Sequence, residues 1–283
     1  MTIGSGPNTL SEVKERLKEH FKMKDMGSTH FLLGVEIRRR LDGGYFMVQE
    51  KYAAEVVSRY GMADAKTVST PFEPGSNFGA EEVPVAEGVD PGMVDIPYRS
   101  LVGSFMYLAV CTRPDLSMAV SALSRCSQNP QMVHWEAAKR VFRYVKGTSG
   151  EGLGYSPGEE IAVWGCSDAS YGSDEETKKG RSGYVFMTGG AAVSWGSKLQ
   201  EVVALSRTEA EYMAICHAMQ EGLYLRMLQM EKGVNPEEGG TLLLVDNQSS
   251  IKLAKNPVFH KRSVRTILAY APNTRSCRTL FRV

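Results

Sequence analysis

The apolar and polar positions of the first 60 residues predict a helix, two strands and a second helix. Residues 10–26 place apolar side chains at helical spacing, which predicts an amphipathic helix. Residues 30–40 and 45–49 are strand-like, and the Gly-Gly pair between them supplies the positive φ that a tight hairpin requires. Residues 51–60 return to helical spacing. This part of the chain therefore predicts a small α+β arrangement.

Two segments rich in proline, glycine and serine divide the rest of the chain. Residues 70–97 contain five prolines with acidic residues between them, which predicts a linker or a poorly packed surface loop. Residues 148–160 are rich in Gly, Ser and Pro and predict a second boundary. Between the two segments, apolar spacing predicts three helices, at residues 98–110, 114–126 and 133–146.

Beyond the second boundary, the pattern changes to strands followed by a long helix. The predicted strands are residues 161–166, 183–188, 191–195 and 241–245, and the predicted helices are residues 206–232 and 248–255. Three strands, a helix, a strand and a helix predict an α/β domain in which helices flank a mixed sheet. A smaller α+β domain precedes it.

Composition indicates a globular chain large enough for two cores. The chain has 283 residues, of which 42% are hydrophobic and 23% charged. No apolar run approaches the roughly 20 residues of a membrane span, and the first residues lack the pattern of a signal peptide. The five cysteines form no CxxC pair, so neither a zinc site nor a disulfide framework is indicated. We therefore expect reduced thiols and no membrane partner.

Charge is unevenly distributed although the net charge is only +1. After Asp246 there is no Asp or Glu, whereas Lys and Arg recur to the end of the chain. A basic end favours binding to polyanions such as nucleic acid. A short basic tail without a binding role is the alternative, and the sequence does not choose between them.

Three acidic residues occupy positions from which they can converge. Asp168 and Asp246 follow predicted strands, and Glu211 lies in the first turns of the long predicted helix. Carboxylate oxygens suit Mg²⁺, so we expect these carboxylates to lie within about 8 Å of one another, close enough to share a two-ion cluster. Solvated carboxylates in turns are the alternative.

The long helix offers two glutamates near its start, and capping separates them. Ser206 and Glu209 fit a capping box, in which Glu209 reaches back to the N-cap. Glu211 is two residues further and points about 200° around the helix from Glu209. We therefore assign the metal to Glu211 and the cap to Glu209.

Two further groups are candidates for nucleic-acid contact. Lys139, Arg140, Arg143 and Lys146 place positive charge on one predicted helix, where they can follow a phosphate backbone or form a solvated face. Asn247 and Gln248 open the last predicted helix, whose free N–H groups favour phosphate. Simple capping of that helix by Asn247 is the alternative.

Several stretches resemble the C-terminal part of Copia-type retrotransposon Pol polyproteins. In the second half they include Thr-Glu-Ala-Glu-Tyr-Met-Ala at residues 208–214 and Asp-Asn-Gln-Ser at residues 246–249. The other matching stretches are residues 31–37, 49–52, 98–104, 112–115, 134–135, 144–148, 166–169, 181–186, 191–195, 203–206 and 256–260. The resemblance covers about residues 10–262.

This resemblance implies a domain plan. Residues 1–69 would be the hairpin and helices that follow the reverse transcriptase palm, residues 70–97 a linker, and residues 98–150 a helical connection region. Residues 151–262 would form a ribonuclease H-like domain, and residues 263–283 a divergent basic tail.

The resemblance also implies an activity, namely cleavage of the RNA strand of RNA–DNA hybrids with two Mg²⁺ or Mn²⁺ ions. Asp168 would bridge both ions, and Glu211 and Asp246 would each complete one shell. The partners would be the hybrid and the upstream polymerase palm of the parent polyprotein. The location would be intracellular, in a cytoplasmic virus-like particle, with the nucleus as a second site.

Two departures from the family pattern favour other interpretations. No Tyr-x-Asp-Asp polymerase motif occurs, so DNA synthesis by this chain alone is not expected. The family's fourth acidic residue, shortly after the Phe-His segment, is replaced by Ser-Val-Arg-Thr-Ile at residues 263–267. A catalytically inactive nucleic-acid-binding remnant and a fragment without function therefore stay open as alternatives.

Overall fold

A computed structural model describes residues 7–25, 27–73, 91–158, 162–174, 177–233, 240–255 and 279–282. The helices are α1 (Pro7–His20), α2 (Glu50–Arg59), α3 (Tyr98–Cys111), α4 (Ser117–Arg125), α5 (Met132–Gly147), α6 (Arg207–Glu231) and α7 (Gln248–Lys255). The strands are β1 (Phe31–Leu32), β2 (Val35–Arg39), β3 (Tyr45–Val48), β4 (Gly152–Tyr155), β5 (Trp164–Ser170), β6 (Arg181–Thr188), β7 (Ala191–Leu199), β8 (Leu242–Val245) and β9 (Thr279–Arg282).

Helices α2 to α5 share one hydrophobic core. The apolar face of α2 buries Ala53, Val56 and Val57, at the i, i+3, i+4 spacing that places side chains on one side of a helix. At the centre, the rings of Phe105 and Phe142 meet edge to face with centroids 4.8 Å apart. Helices from both sides of the predicted linker therefore pack into a single unit.

The predicted linker contributes to this core. Pro91–Met93 forms a short 3₁₀ turn, and Met93 is buried in the helical core with Ile96 packed against it. The prediction of a poorly packed surface segment is therefore wrong for this end of residues 70–97, because Met93 and Ile96 find an apolar surface to cover. Residues 74–90 lie outside the described residues.

Strands β1 to β4 form an antiparallel sheet in chain order. β4 pairs with β3 through Val48 opposite Gly152 and Tyr45 opposite Tyr155. The interpretation of residues 148–160 purely as a boundary is wrong for β4. Glycine at two of its four positions hides the strand pattern, although the open edge of β3 supplies its hydrogen-bond partners.

The second sheet carries the acidic residues, and its strand order is β7-β6-β5-β8-β9. β5 and β8 are parallel, whereas the other neighbouring pairs are antiparallel, so the sheet is mixed as predicted. α6 packs against this sheet through Ile215 and Ala218, which share a core with Phe186 and Leu243. β9, from the divergent tail, pairs with β8, and residues 256–278 lie outside the described residues.

Hydrogen bonds join the helical unit to the second sheet. Trp195 Nε1 donates to the carbonyl of Ala109 at 2.7 Å. A guanidinium nitrogen of Arg181 donates to Ser121 Oγ at 2.7 Å. Both donors lie on the second sheet, so its position relative to α3 and α4 is set by directional contacts.

An ion pair between Arg125 and the buried Asp174 lies at the same junction. Burial alone would raise the pKa of Asp174, but hydrogen bonds from Arg125 and Thr177 outweigh burial and lower that pKa to about 2. A carboxyl whose pKa is lowered by folding stabilises the fold above its unfolded pKa of about 3.9. That stabilisation is lost as the pH falls from about 4 towards 2.

Asp174→Asn should therefore lower the free energy of unfolding by about 2 kcal/mol at pH 7 and by about half as much at pH 3. Urea unfolding at both pH values measures the difference, and Asp64→Asn, at an exposed position, should change it by less than about 0.5 kcal/mol. An equal loss at both pH values would show that the charge of Asp174 is not the stabilising feature.

The sequence predicts neither a membrane span nor a disulfide framework, and the described residues can be compared with both expectations. None of the described helices is both long and apolar enough to cross a membrane. The four cysteines within the described ranges, Cys111, Cys126, Cys166 and Cys216, form no disulfide. Cys277 lies outside those ranges.

Candidate metal centre

Because β5 and β8 are parallel neighbours, Asp168 and Asp246 lie towards the same, C-terminal ends of these two strands. Cys166 of β5 lies opposite Leu244 of β8, and each aspartate is two residues further along its chain. β5 continues to Ser170 by pairing with β6, so Asp168 lies within the strand and not just past its end as predicted. The hydrophobic run ends earlier than the hydrogen-bonded ladder, which is why sequence reasoning made β5 too short.

The start of α6 separates the two glutamates as expected. Ser206 is the N-cap, and its side chain accepts a hydrogen bond from the backbone N–H of Glu209. The carboxylate of Glu209 accepts from the N–H of Leu205 at 2.7 Å, one residue before the N-cap. Glu209 is therefore a capping residue, although it reaches Leu205 where a capping box would have it reach Ser206.

Glu211 joins the two aspartates. One carboxylate oxygen from each of Asp168, Glu211 and Asp246 lies within 4.8 Å of the other two, which confirms the predicted convergence. The backbone N–H of Ala169 also donates to Glu211. Sequence reasoning missed this contact, since a backbone donor carries no residue-type signal.

The cluster concentrates negative charge around a buried carboxylate. Burial and, to a smaller extent, the charges of Asp168 and Asp246 together raise the pKa of Glu211 to about 7, against the opposing hydrogen bond from Ala169. Glu211 Oε2 is buried and has no hydrogen-bond partner within the described part of the chain. An unpaired carboxylate oxygen facing two aspartates suits a divalent cation, which prefers oxygen ligands.

Glu211→Gln should stabilise the cation-free protein at alkaline pH. A carboxyl whose pKa is raised by folding costs stability above its folded pKa, and that cost disappears as the pH falls below the unfolded value. In EDTA at pH 8, we expect a gain on the order of 1–3 kcal/mol, falling to almost nothing at pH 4.5. Urea unfolding measures it, with Glu231→Gln at an exposed position as the control. Destabilisation at pH 8 would contradict this electrostatic description.

The four predicted basic residues of α5 all have partners within the chain. Their partners are Glu136 for Lys139, Glu73 and Thr70 for Arg140, the carbonyl of Lys66 for Arg143, and the carbonyl of Ala65 for Lys146. Three of them hold residues 65–73 against the helix. The structure thus gives these residues a structural role, and their contact with nucleic acid stays a prediction.

Asn247 and Gln248 directly follow Asp246 in the chain, at the start of α7. Asn247 Oδ1 accepts from the N–H of Ser250 at 2.9 Å, so Asn247 caps α7, as the capping alternative proposed. Gln248 is exposed in the first turn of α7, directly after the cap. Contact of either residue with nucleic acid also stays a prediction.

Comparison with known proteins identifies the family. Residues 1–74 match the reverse transcriptase (RNA-dependent DNA polymerase) family. The retrovirus-related Pol polyprotein from transposon TNT 1-94 of Nicotiana tabacum is 37% identical over 95% of this chain and 20% of its own length. Two Arabidopsis thaliana Pol polyproteins, from transposons RE1 and RE2, are 32% and 33% identical over 95% of this chain and 18% of their own length.

These relatives are all Pol polyproteins of retrotransposons. The chain belongs to the Copia-type Pol polyprotein family. It spans about a fifth of the length of these curated relatives. No solved structure matches it significantly.

Proposed function

We propose that the second sheet with α6 and α7 is a ribonuclease H-type nuclease that cleaves the RNA strand of RNA–DNA hybrids. The observation that carries this proposal is the convergence of Asp168, Glu211 and Asp246 within 4.8 Å. Asp168 lies on β5, Asp246 directly follows the neighbouring parallel strand β8, and Glu211 lies on the helix packed on the sheet. Elements with a shared core hold the cluster, which favours a preorganised site over solvated carboxylates.

The three residues fit two Mg²⁺ or Mn²⁺ ions. Asp168 is exposed and would hold the ions through its carboxylate oxygens, together with Glu211 and Asp246. Two such ions supply charge stabilisation to the attacking and leaving oxygens of a phosphodiester displacement. The Ala169 N–H orients the Glu211 carboxylate, whose buried Oε2 has no hydrogen-bond partner among the described residues.

The substrate class follows from the family of the chain. An RNA-dependent DNA polymerase copies RNA into DNA and so produces an RNA–DNA hybrid, and residues 1–74 match that polymerase family. A nuclease in the same polyprotein would meet that hybrid at high local concentration. A hybrid whose RNA strand must be removed is therefore the proposed substrate.

A cleavage assay tests this proposal. The purified chain should cut the labelled RNA strand of a hybrid in the presence of Mn²⁺, leaving the DNA strand intact. Duplex DNA of the same sequence should not be cut. Cleavage of both substrates at equal rates would replace the proposed specificity with a general nuclease activity.

A second candidate function is binding of the hybrid without cleavage. It is favoured by one observation, the absence of any Asp or Glu after Asp246, since the family's fourth carboxylate cannot come from that part of the chain. Each carboxylate partly neutralises the cations and holds them in place. We therefore expect weak cleavage at millimolar Mg²⁺ and faster cleavage with Mn²⁺. Hybrid binding with no cleavage in either ion would favour this second function.

A further inference from the structure

We infer that Gln200 is a positioning residue that sets the place of Glu211 in the carboxylate cluster. The inference rests on the proposed function. Gln200 directly follows β7 and its side chain is buried. Its Nε2 donates to Ser182 Oγ at 3.0 Å and to the carbonyl of Ala210 at 2.9 Å. A single amide therefore links β6 to the first turns of α6.

The hydrogen bond from Gln200 to the Ala210 carbonyl fixes the backbone directly before Glu211. The Ala210 carbonyl belongs to the peptide group that joins Ala210 to Glu211, so fixing this oxygen fixes the backbone from which the Glu211 side chain projects. On the outer side, the start of α6 is bound mainly by its own cap, and Leu205, Ser206 and Arg207 are exposed. The buried amide can therefore set the distance between the start of α6 and the second sheet.

The backbone of Gln200 is also hydrogen-bonded to Gly180, the residue directly before β6. Its N–H donates to the carbonyl of Gly180 at 2.8 Å. A Cβ at Gly180 would lie 2.5 Å from the Ser170 carbonyl oxygen and 2.6 Å from Gln200 Oε1, so only glycine fits there. Ser170 is two residues beyond Asp168 on β5. Gln200 therefore lies where β5, β6 and α6 meet, in contact with the residue that directly precedes Glu211.

The buried Gln200 side chain stabilises the fold less than an apolar side chain of the same shape would. A carbonyl can only accept, so the Ala210 oxygen forces the Gln200 amide nitrogen towards it. Gln200 Oε1 is then buried without a hydrogen-bond partner in the described residues. An unpaired buried acceptor costs about 1–3 kcal/mol, and an apolar side chain of the same shape avoids that cost. Gln200 therefore orients α6 but lowers the free energy of unfolding.

Gln200→Met tests the inference, because methionine matches glutamine in length and cannot donate. We expect the Mn²⁺ affinity, measured by titration calorimetry at pH 8, to fall about tenfold or more, the usual effect of losing an outer-shell contact. The free energy of unfolding in EDTA should stay within about 1 kcal/mol of wild type, because the unpaired Oε1 is removed together with two hydrogen bonds.

Thr112→Val is the matched control. It removes a buried hydrogen bond to another glutamine, Thr112 Oγ1 to Gln49 Oε1 at 2.9 Å, within the helical unit. Its Mn²⁺ affinity should change less than about twofold. Equal affinity losses in Thr112→Val and Gln200→Met, or an unchanged affinity in Gln200→Met, would overturn the positioning role.

Two further variants keep the test decisive. If Gln200→Met fails to fold, Ser182→Ala removes only the strand-side anchor of the amide. It should weaken Mn²⁺ binding by about threefold, and wild-type affinity in Ser182→Ala would overturn the inference. Asp168→Asn reports on the proposed function separately. If wild type and Asp168→Asn bind Mn²⁺ equally, the metal site itself is refuted. If only Asp168→Asn loses binding while Gln200→Met retains it, the metal site stands and the positioning role is refuted.

Discussion

Replacing Asp168 with asparagine is expected to slow cleavage of an RNA–DNA hybrid about a thousandfold or more. Metal ions supply several kcal/mol of transition-state stabilisation, and about 4 kcal/mol corresponds to that factor in rate. Asp168 and Asp246 are both exposed, and Asp168 lies on β5 beside the strand that Asp246 follows. An asparagine at position 168 would therefore remove a negative charge from the carboxylate cluster. Single-turnover cleavage in Mn²⁺ measures the effect.

Asp174→Asn is the control for this experiment. It also neutralises an aspartate close to β5 in sequence, but that aspartate pairs with Arg125 and lies outside the carboxylate cluster. Its cleavage rate should remain within a few-fold of wild type at a temperature where both proteins are folded. Equal rates for wild type and Asp168→Asn would show that any cleavage arises elsewhere.

Replacing Phe186 with alanine is expected to cost about 3–5 kcal/mol of unfolding free energy. Phe186 is fully buried in the core of the second sheet. A Cβ at Gly165 would lie 2.6 Å from its ring, and one at Gly222 would lie 3.1 Å away, so the ring packs directly against two backbones. Neither glycine has a side chain that could move into the cavity, and this limits relaxation after the substitution.

Urea unfolding followed by circular dichroism tests the Phe186 prediction. Tyr224→Ala is the control, because Tyr224 is 58% exposed on the outer side of α6 and should cost less than about 1 kcal/mol. A loss below about 1 kcal/mol for Phe186→Ala would mean that the second sheet does not depend on this core.

Helices were the most predictable part of the fold. Apolar spacing and capping residues determine where a helix starts and ends, and the predicted bounds of α7 coincide with the observed ones. Strands depend on partners that are distant in sequence. β4 escaped prediction because two of its four residues are glycine, and β5 is longer than its apolar run because β6 continues the ladder.

The candidate site was predictable where side-chain type carries the signal. Carboxylates at strand ends and on a helix led to Asp168, Glu211 and Asp246, and capping chemistry separated Glu209 from Glu211. Contacts made through backbone or by a single buried amide left no pattern in the sequence. The N–H of Ala169 and the side chain of Gln200 are of this kind.

For the basic residues of α5, side-chain type did not reveal the partners that the structure shows. Their charge and helical spacing indicated a surface for phosphates, yet Arg140, Arg143 and Lys146 bind residues 65–73 of the same chain. Composition cannot tell a cation that awaits an external partner from one that has a carbonyl within reach. The tertiary position of residues 65–73 decides that question, and no local pattern encodes it.

Titration of Mn²⁺ into the purified chain at pH 8, by calorimetry, shows whether Asp168, Glu211 and Asp246 form a metal site. At that pH Glu211 is ionised, since its pKa is about 7, and all three carboxylates can bind. We predict saturable binding of two ions, competition by Mg²⁺, and loss of binding in a variant carrying Asp168→Asn, Glu211→Gln and Asp246→Asn. Identical titration curves for wild type and this triple variant would contradict the account.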